Sequence, residues 1–222
     1  MSGKQLCFVF GAGQPPVLPP VIAEHDLVIA ADGGYAYTKQ AGIRTDILVG
    51  DFDSLGTCPD QKEDGLIIHC LPKEKDHTDL LVALQCGLER GYTHFHIYGG
   101  TGGRIDHTLA NIQCLTFLVN HNARGYLYDS DAVITVIRGE VWLAARQDGI
   151  VSVFALGESA DGVYINGLKY ELDNRRLSYD FPHGVSNAFI GRPVHIKVER
   201  GVLAIVYPIG TLEAESCPAI II

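Results

Sequence analysis

Short apolar runs that each stop at a glycine or an aspartate dominate the first half of the chain, and they fix what it can fold into. Residues 6–10 (LCFVF) stop at Gly11-Ala12-Gly13, and residues 27–31 (LVIAA) at Asp32-Gly33-Gly34. Residues 47–49 (ILV) stop at Gly50-Asp51, residues 66–71 (LIIHCL) lead towards Asp76, and residues 95–98 (FHIY) stop at Gly99-Gly100. The runs show little polar alternation, as expected of strands covered on both faces. Helical patterns lie between them. Over residues 78–90, Leu80, Leu81, Leu84 and Leu88 fall on one face, with Asp76 as the expected N-cap and Asp79 three residues on. A second helix is expected over residues 105–119, with Leu109, Ile112, Leu115 and Phe117 among its apolar residues. Strands alternating with helices predict an α/β N-terminal domain with a mostly parallel sheet.

The period changes near residue 123. Beyond it only short β-rich runs appear, at 125–128, 133–137, 141–143, 151–154, 194–198 and 202–207, punctuated by Gly, Asp and Asn. Two domains follow: residues 1–123, α/β, and residues 124–222, an all-β sandwich. Trp142, the only tryptophan, is expected in the core of the β domain. Cys7, Cys86 and Cys114 sit inside apolar runs and are expected to be buried. The formal net charge is −9, which disfavours nucleic acid and anionic lipid as partners. No apolar run has the length of a membrane span or of a signal-peptide core, so the expectation is a cytoplasmic protein with no membrane partner.

Asp32, Asp51, Asp53, Asp76, Asp79 and Asp106 all follow strands. In an open α/β sheet, ligands bind outside the carboxyl ends of the strands, so these carboxylates are expected to converge there. Converging carboxylates repel one another unless a cation joins them. Mg2+ suits the place, because it takes oxygen ligands and bridges to substrate phosphates. The segment Gly99–His107 (GGTGGRIDH) is the densest signal: glycines admit a phosphate to the backbone, a helix N-terminus follows, and Arg104 can grip phosphate oxygens. It is not a Walker A loop. Gln14-Pro15-Pro16 after Gly13 argues against a dinucleotide fingerprint. Asp51-Phe52-Asp53-Ser54-Leu55 nearly matches the nucleophile motif of haloacid-dehalogenase-type phosphatases, but Leu55 and its place after the third strand break the pattern. His77 and His107 stand beside the acidic motifs as possible phosphate contacts, whereas His69, His94, His96 and His121 have no partner pattern.

In this order, Ala31-Asp32-Gly33-Gly34, Gly50-Asp51-Phe52-Asp53-Ser54, Lys75-Asp76-His77-Thr78-Asp79 and Gly102-Gly103-Arg104-Ile105-Asp106-His107 resemble the thiamine pyrophosphokinase family. Gly184-Val185-Ser186-Asn187 resembles that family's Ser-Asn motif. The resemblance implies an ATP-binding α/β domain, a C-terminal β-sandwich, and a homodimer with thiamine held between subunits. It implies Asp51, Asp53 and Asp79 as magnesium ligands. Asp32, Gly33, Gly34, Ser54, Lys75, Asp76, Thr78, Gly102, Gly103, Arg104, Asp106 and His107 would then line the nucleotide and phosphate site, and Ser186 and Asn187 the thiamine site. The expected reaction is attack of the thiamine hydroxyl on the β-phosphorus of ATP with departure of AMP, Asp79 or Asp106 accepting the proton. Some members stack thiamine on a tryptophan of the final strand; the corresponding run Val202-Leu203-Ala204-Ile205-Val206 has none. Other readings are a pyrophosphokinase acting on a pterin alcohol, a dehalogenase-type phosphatase, and a non-catalytic ATP- or thiamine-sensing module.

Overall fold

The computed structural model describes residues 5–15, 19–52, 65–72, 74 and 76–211. Asp53, Ser54 and Lys75 lie outside the described residues. The chain is rich in sheet, with few helices, and divides into two compact units, Met1–Ser130 and Asp131–Ile222.

The first unit carries β1 (Cys7–Phe10), β2 (Leu27–Ala31), α1 (Gly34–Gln40), β3 (Ile47–Gly50), β4 (Ile67–Cys70), α2 (Asp79–Glu89), β5 (His94–Tyr98), α3 (Ile105–Asn120) and β6 (Arg124–Tyr128). The strands are ordered β4-β3-β2-β1-β5-β6, and each pairing is parallel. The first unit therefore extends past residue 123. The run at 125–128, assigned from its β-rich composition to the β domain, is the parallel partner of β5. β1, β2 and β3 are buried at every position, as their unbroken apolar runs require. β4, at the end of the order, is partly exposed along its length. Order reverses beside β1: β2, β3 and β4 lie on one side of it, β5 and β6 on the other.

Two carboxylates, buried Asp26 and half-buried Asp46, fasten the opposite, N-terminal ends of the strands. Asp26 accepts from the Leu6 and Ala23 amides at 3.0 and 2.9 Å, and Asp46 from the Val28 amide at 2.8 Å and Arg44 Nε at 3.1 Å. Donors that a strand start leaves over are thus satisfied by side chains.

One face of the sheet carries two aromatic rows. Phe8, His96 and Tyr126 stack across β1, β5 and β6, and Phe10, Tyr98 and Tyr128 stack beside them, the last two at 4.5 Å and 7°. Tyr37 of α1 packs on Phe10. His96, for which the sequence offered no role, belongs to this core: its Nδ1 meets the Tyr128 hydroxyl at 2.8 Å, and its Nε2 is buried without a partner among the described residues. Burial lowers its pKa to about 3.

The second unit carries β7 (Ala132–Ile137), β8 (Glu140–Leu143), β9 (Ile150–Asn166), β10 (Leu172–Ser178), β11 (Gly184–Ala188), β12 (Val194–Lys197) and β13 (Arg200–Pro208). Its pairings are antiparallel. The run at 151–154 is the beginning of the long β9, which serves two sheets. Its first part pairs with β11 and β13, and its later part with β10 and β12. β10 and β11 escaped the sequence reading because LDNRRLS is polar and mostly exposed and GVSNA is short, with only Asn187 buried. Trp142 is not a core residue. It lies 48% exposed on β8, stacked on His195 at 4.1 Å, with Glu140 bonded to the same imidazole at 2.8 Å. Cys7, Cys86 and Cys114 are buried free thiols, as expected. No helix among the described residues is long and apolar enough to cross a membrane.

The state of His96 couples the fold to pH. Its folded pKa lies below that of an unfolded histidine (about 6.5), so between those values the unfolded chain binds a proton that the folded chain refuses. The contribution is fully present above about pH 6.5 and is lost as pH falls towards 3. In urea titrations, the wild type is expected to lose about 2 kcal/mol more than His96→Phe between pH 7.5 and 5. Equal losses would mean that His96 does not carry this dependence.

Candidate active site

At the switch point, the turns after β1 and β5 pack backbone on backbone. The Gly11 amide donates to the Tyr98 carbonyl at 2.8 Å, Gly13 to Gly99 at 2.7 Å and Gln14 to Thr101 at 2.8 Å. A Cβ on Gly13 would come within 2.3 Å of the Thr101 carbonyl oxygen, so a side chain there is excluded. The paired turns are the floor of a cleft of about 670 Å³ within the first unit, a volume usual for small-molecule sites, roughly 300–1,000 Å³. Its walls come from the ends of β2 and β3 (Ala31, Asp32, Asp51), the start of α2 (residues 77–80), the turn after β5, and the start of α3.

Each carboxylate in this cleft is placed by its own local device. Asp32 has a left-handed backbone (φ 46°); its amide donates to the Val49 carbonyl at 2.8 Å and its carbonyl accepts from Tyr35 at 3.1 Å. Aspartate tolerates that conformation better than most residues. α1 then starts hard against β1, since a Cβ on Gly34 would sit 1.9 Å from the Phe10 carbonyl oxygen. Asp51 is followed by Phe52, also left-handed (φ 57°), whose ring is buried with Ala30, Tyr35 and Leu48. A bulky residue at positive φ is an outlier that packing must hold in place. Asp79 opens α2. Thr78, not Asp76, is the N-cap: its hydroxyl accepts from the Leu81 amide at 3.2 Å, and Asp76 is exposed and absent from the cleft lining.

The glycine turn is braced from two sides. Thr101 Oγ1 donates to Asp129 Oδ1 at 2.6 Å, and Asn111 Nδ2 donates to the Gly100 carbonyl at 2.7 Å. Arg104 and His107 line the cleft, while Asp106 faces Arg104 instead. Arg104 Nε and Nη2 donate to the two Asp106 oxygens at 3.1 and 2.5 Å, on an exposed helix start. That bond, before other causes, holds the Asp106 carboxyl below its ordinary range. Of the other expected residues, Thr78 and Gly103 line the cleft, whereas Gly33 caps α1 and Gly102 packs on Gln14. Ser186 and Asn187 lie in the second unit, on β11.

Magnesium needs hard oxygen donors and open positions for water and phosphate. Asp32, Asp51 and Asp79 supply such donors on one cleft. Among the described residues, no three carboxylate, imidazole or thiol groups form a ready metal cage. The chemistry of these three carboxylates suits a hard divalent ion.

A family model described as the thiamin pyrophosphokinase catalytic domain matches residues 18–127, and one described as the thiamin pyrophosphokinase vitamin B1 binding domain matches residues 142–203. The chain is 30% identical over 203 residues to the thiamine pyrophosphokinase of Bacillus subtilis, covering 88% of this chain and 95% of that one. The chain belongs to the thiamine pyrophosphokinase family. Thiamin pyrophosphokinase 1 of Caenorhabditis elegans is 27% identical over 170 residues, 71% of this chain and 68% of that one. The crystal structure of the Bacillus subtilis thiamine pyrophosphokinase superposes with a TM-score of 0.80 at 28% identity, covering 92% of this chain and 99% of that chain. A thiamin pyrophosphokinase family protein from Enterococcus faecalis gives 0.77 at 25% identity, with 92% and 99% covered. Thiamine diphosphokinase activity is therefore the function of this chain, in preference to the phosphatase, pterin and sensor readings.

Within this chain the Ser-Asn motif divides by burial. Asn187 is buried and spends its carboxamide on the chain: Oδ1 accepts from the Tyr170 amide at 2.9 Å, and Nδ2 donates to the Tyr170 carbonyl at 2.6 Å. Ser186 is exposed at a left-handed backbone (φ 59°). Sequence reasoning marked Thr101 only as part of the glycine segment and Gly11-Ala12-Gly13 only as a weak dinucleotide hint, and it did not mark Thr108, Asn111 or Asp129. The weak signal at Gly11-Ala12-Gly13 was there, but its purpose is to meet the Gly99 turn.

Thr101→Val keeps shape and removes the donor to Asp129. It is expected to lower unfolding free energy by about 1–2 kcal/mol in urea, with a weaker apparent affinity for nucleotide. Unchanged values in both measurements would remove the brace from the site.

Proposed function

We propose that the cleft of the first unit binds ATP with Mg2+ and carries out transfer of its pyrophosphoryl group to the hydroxyl of thiamine, giving thiamine diphosphate and AMP. The observation that carries this reading is the gathering of Asp32, Asp51 and Asp79 on one cleft whose floor is a pair of glycine turns. Asp51, Asp53 and Asp79 would hold the magnesium ion, which when bound neutralises phosphate charge and polarises the phosphoryl oxygens. Asp53, with Ser54 and Lys75, belongs to the proposal from the sequence alone.

The chain's own groups do the positioning. The turn 99–103 and the N-terminus of α3 present amides to phosphate oxygens. Arg104 grips the same oxygens after exchanging its Asp106 partner for them. Thr78 and His77 flank Asp79 at the other wall. The thiamine hydroxyl attacks the β-phosphorus in line, and positioning with charge neutralisation supplies most of the rate. Asp79 or Asp106, the latter released once Arg104 turns to the phosphates, accepts the hydroxyl proton late. Thiamine carries a fixed positive charge, which an acidic cleft attracts.

The reading extends to a cytoplasmic homodimer that holds thiamine between subunits, with Ser186 of a subunit on the vitamin. Asn187 supports it from behind by holding Tyr170.

Asp79→Asn keeps size and removes charge. Its kcat for AMP formation from ATP and thiamine is expected to fall at least about 100-fold, with circular dichroism and melting temperature retained. Asp51→Asn is expected to behave alike, and both losses are expected to shrink as magnesium is replaced by manganese at saturating levels. Normal turnover in Asp79→Asn would remove the carboxylate from the mechanism.

A further inference from the structure

Arg104, His107, Thr108 and Asn111 recur at i, i+3, i+4 and i+7, so they share one face of α3 and its cap. All four line the cleft. Further along, the same face carries Leu115 and Leu118, both fully buried. The face thus changes from apolar to polar where the helix passes from the sheet to the cleft, and Asn111 stands at the change. Ile105 and Leu109, by contrast, are exposed at 76% and 60% on other faces, so the first turns of α3 turn polar groups inward and leave apolar ones outside. That inversion has no packing advantage and calls for a ligand.

The chemistry of Asn111 is fixed by its neighbour. The Gly100 carbonyl can only accept, so the carboxamide atom 2.7 Å from it is the nitrogen. The oxygen Oδ1 is then the free end; it makes no hydrogen bond to any described residue, on a side chain only 7% exposed that lines the cleft. That oxygen is not sealed in the interior but borders the cleft, where a hydroxyl or amino group of the ligand can reach it as a donor.

We propose that Asn111 is a substrate-binding residue whose Oδ1 accepts a hydrogen bond from a hydroxyl or amino group of the substrate other than the reacting hydroxyl. Anchored through Nδ2 to the turn that receives phosphate, it fixes the distance between the phosphates and that donor. It therefore selects substrates that carry one. The inference rests on the placement of the reaction in this cleft. The donor is carried either by ATP (a ribose hydroxyl or the adenine amino group) or by thiamine (its pyrimidine amino group).

The test is a cycle between enzyme and substrate. kcat/KM is measured for the wild type and Asn111→Ala with ATP, 2′-deoxy-ATP, 3′-deoxy-ATP and inosine triphosphate. It is also measured with thiamine and its analogue bearing oxygen in place of the pyrimidine amino group. The wild type is expected to disfavour one analogue by about tenfold, and Asn111→Ala to lose that preference while falling by a similar factor on the parent substrate. The analogue that shows the coupling identifies the donor. A residue that only braces the turn would lower activity equally on every substrate, and this result overturns the proposal. Asn111→Ser is carried in parallel in case the alanine protein does not fold, and a wild type indifferent to every analogue also overturns it. AMP formation by the wild type from ATP and thiamine is recorded first, so that failure of the placement is separated from failure of the residue's role.

Discussion

Where β1 and β5 end side by side, the Gly11 and Gly99 turns press backbone against backbone. A Cβ on Gly11 would come within 2.7 Å of the Gly99 carbonyl oxygen, and one on Gly99 within 2.3 Å of the Gly11 carbonyl oxygen. No other residue type fits either position without moving a strand end. Much else in the first unit follows from this contact. It seats the phosphate-type turn 99–103, it places the start of α3, and it opens the cleft at the one point where strand order reverses. The aromatic rows beneath it, with Tyr98 stacked on Phe10 and Tyr128, hold those strand ends in register.

An acidic chain that handles a polyanion looks self-defeating until the positions of the charges are known. The structure separates two populations of carboxylate. Asp26 and Asp46 sit at the N-terminal ends of strands and satisfy backbone amides. Asp32, Asp51 and Asp79 sit at the opposite ends, around the cleft. The first set supports the fold, and the second lines the cleft proposed to take the ligand. The backbone conformations differ accordingly, with positive φ at Asp32 and at Phe52 beside Asp51.

The parallel sheet was legible because fully buried strands read as unbroken apolar runs, and α2 because its leucines keep helical spacing. α1 was not: it is seven residues long and opens with Gly33 and Gly34, which its packing on Phe10 demands but helix propensity opposes. The run 125–128 was grouped with the β-rich second half although it pairs with β5, since a β-rich run does not say with which strand it pairs. The site was legible as far as its charged and glycine motifs reach. Asn111 carries no motif, and Thr101 stands among the glycines with nothing to announce its bond to Asp129; their roles depend on what lies across the turn. Trp142 was misplaced because a large aromatic is usually inside, and here a histidine and a glutamate on the same sheet surface keep it partly outside.

The long strand β9 has one more consequence. Its early residues bond to β11 and β13, its later ones to β10 and β12, and its buried positions alternate through both stretches. A single continuous segment is thus common to two sheets. Loss of that segment would unpair both sheets together, so the buried strand β13 and the exposed strands β10 and β11 depend on one stretch of backbone.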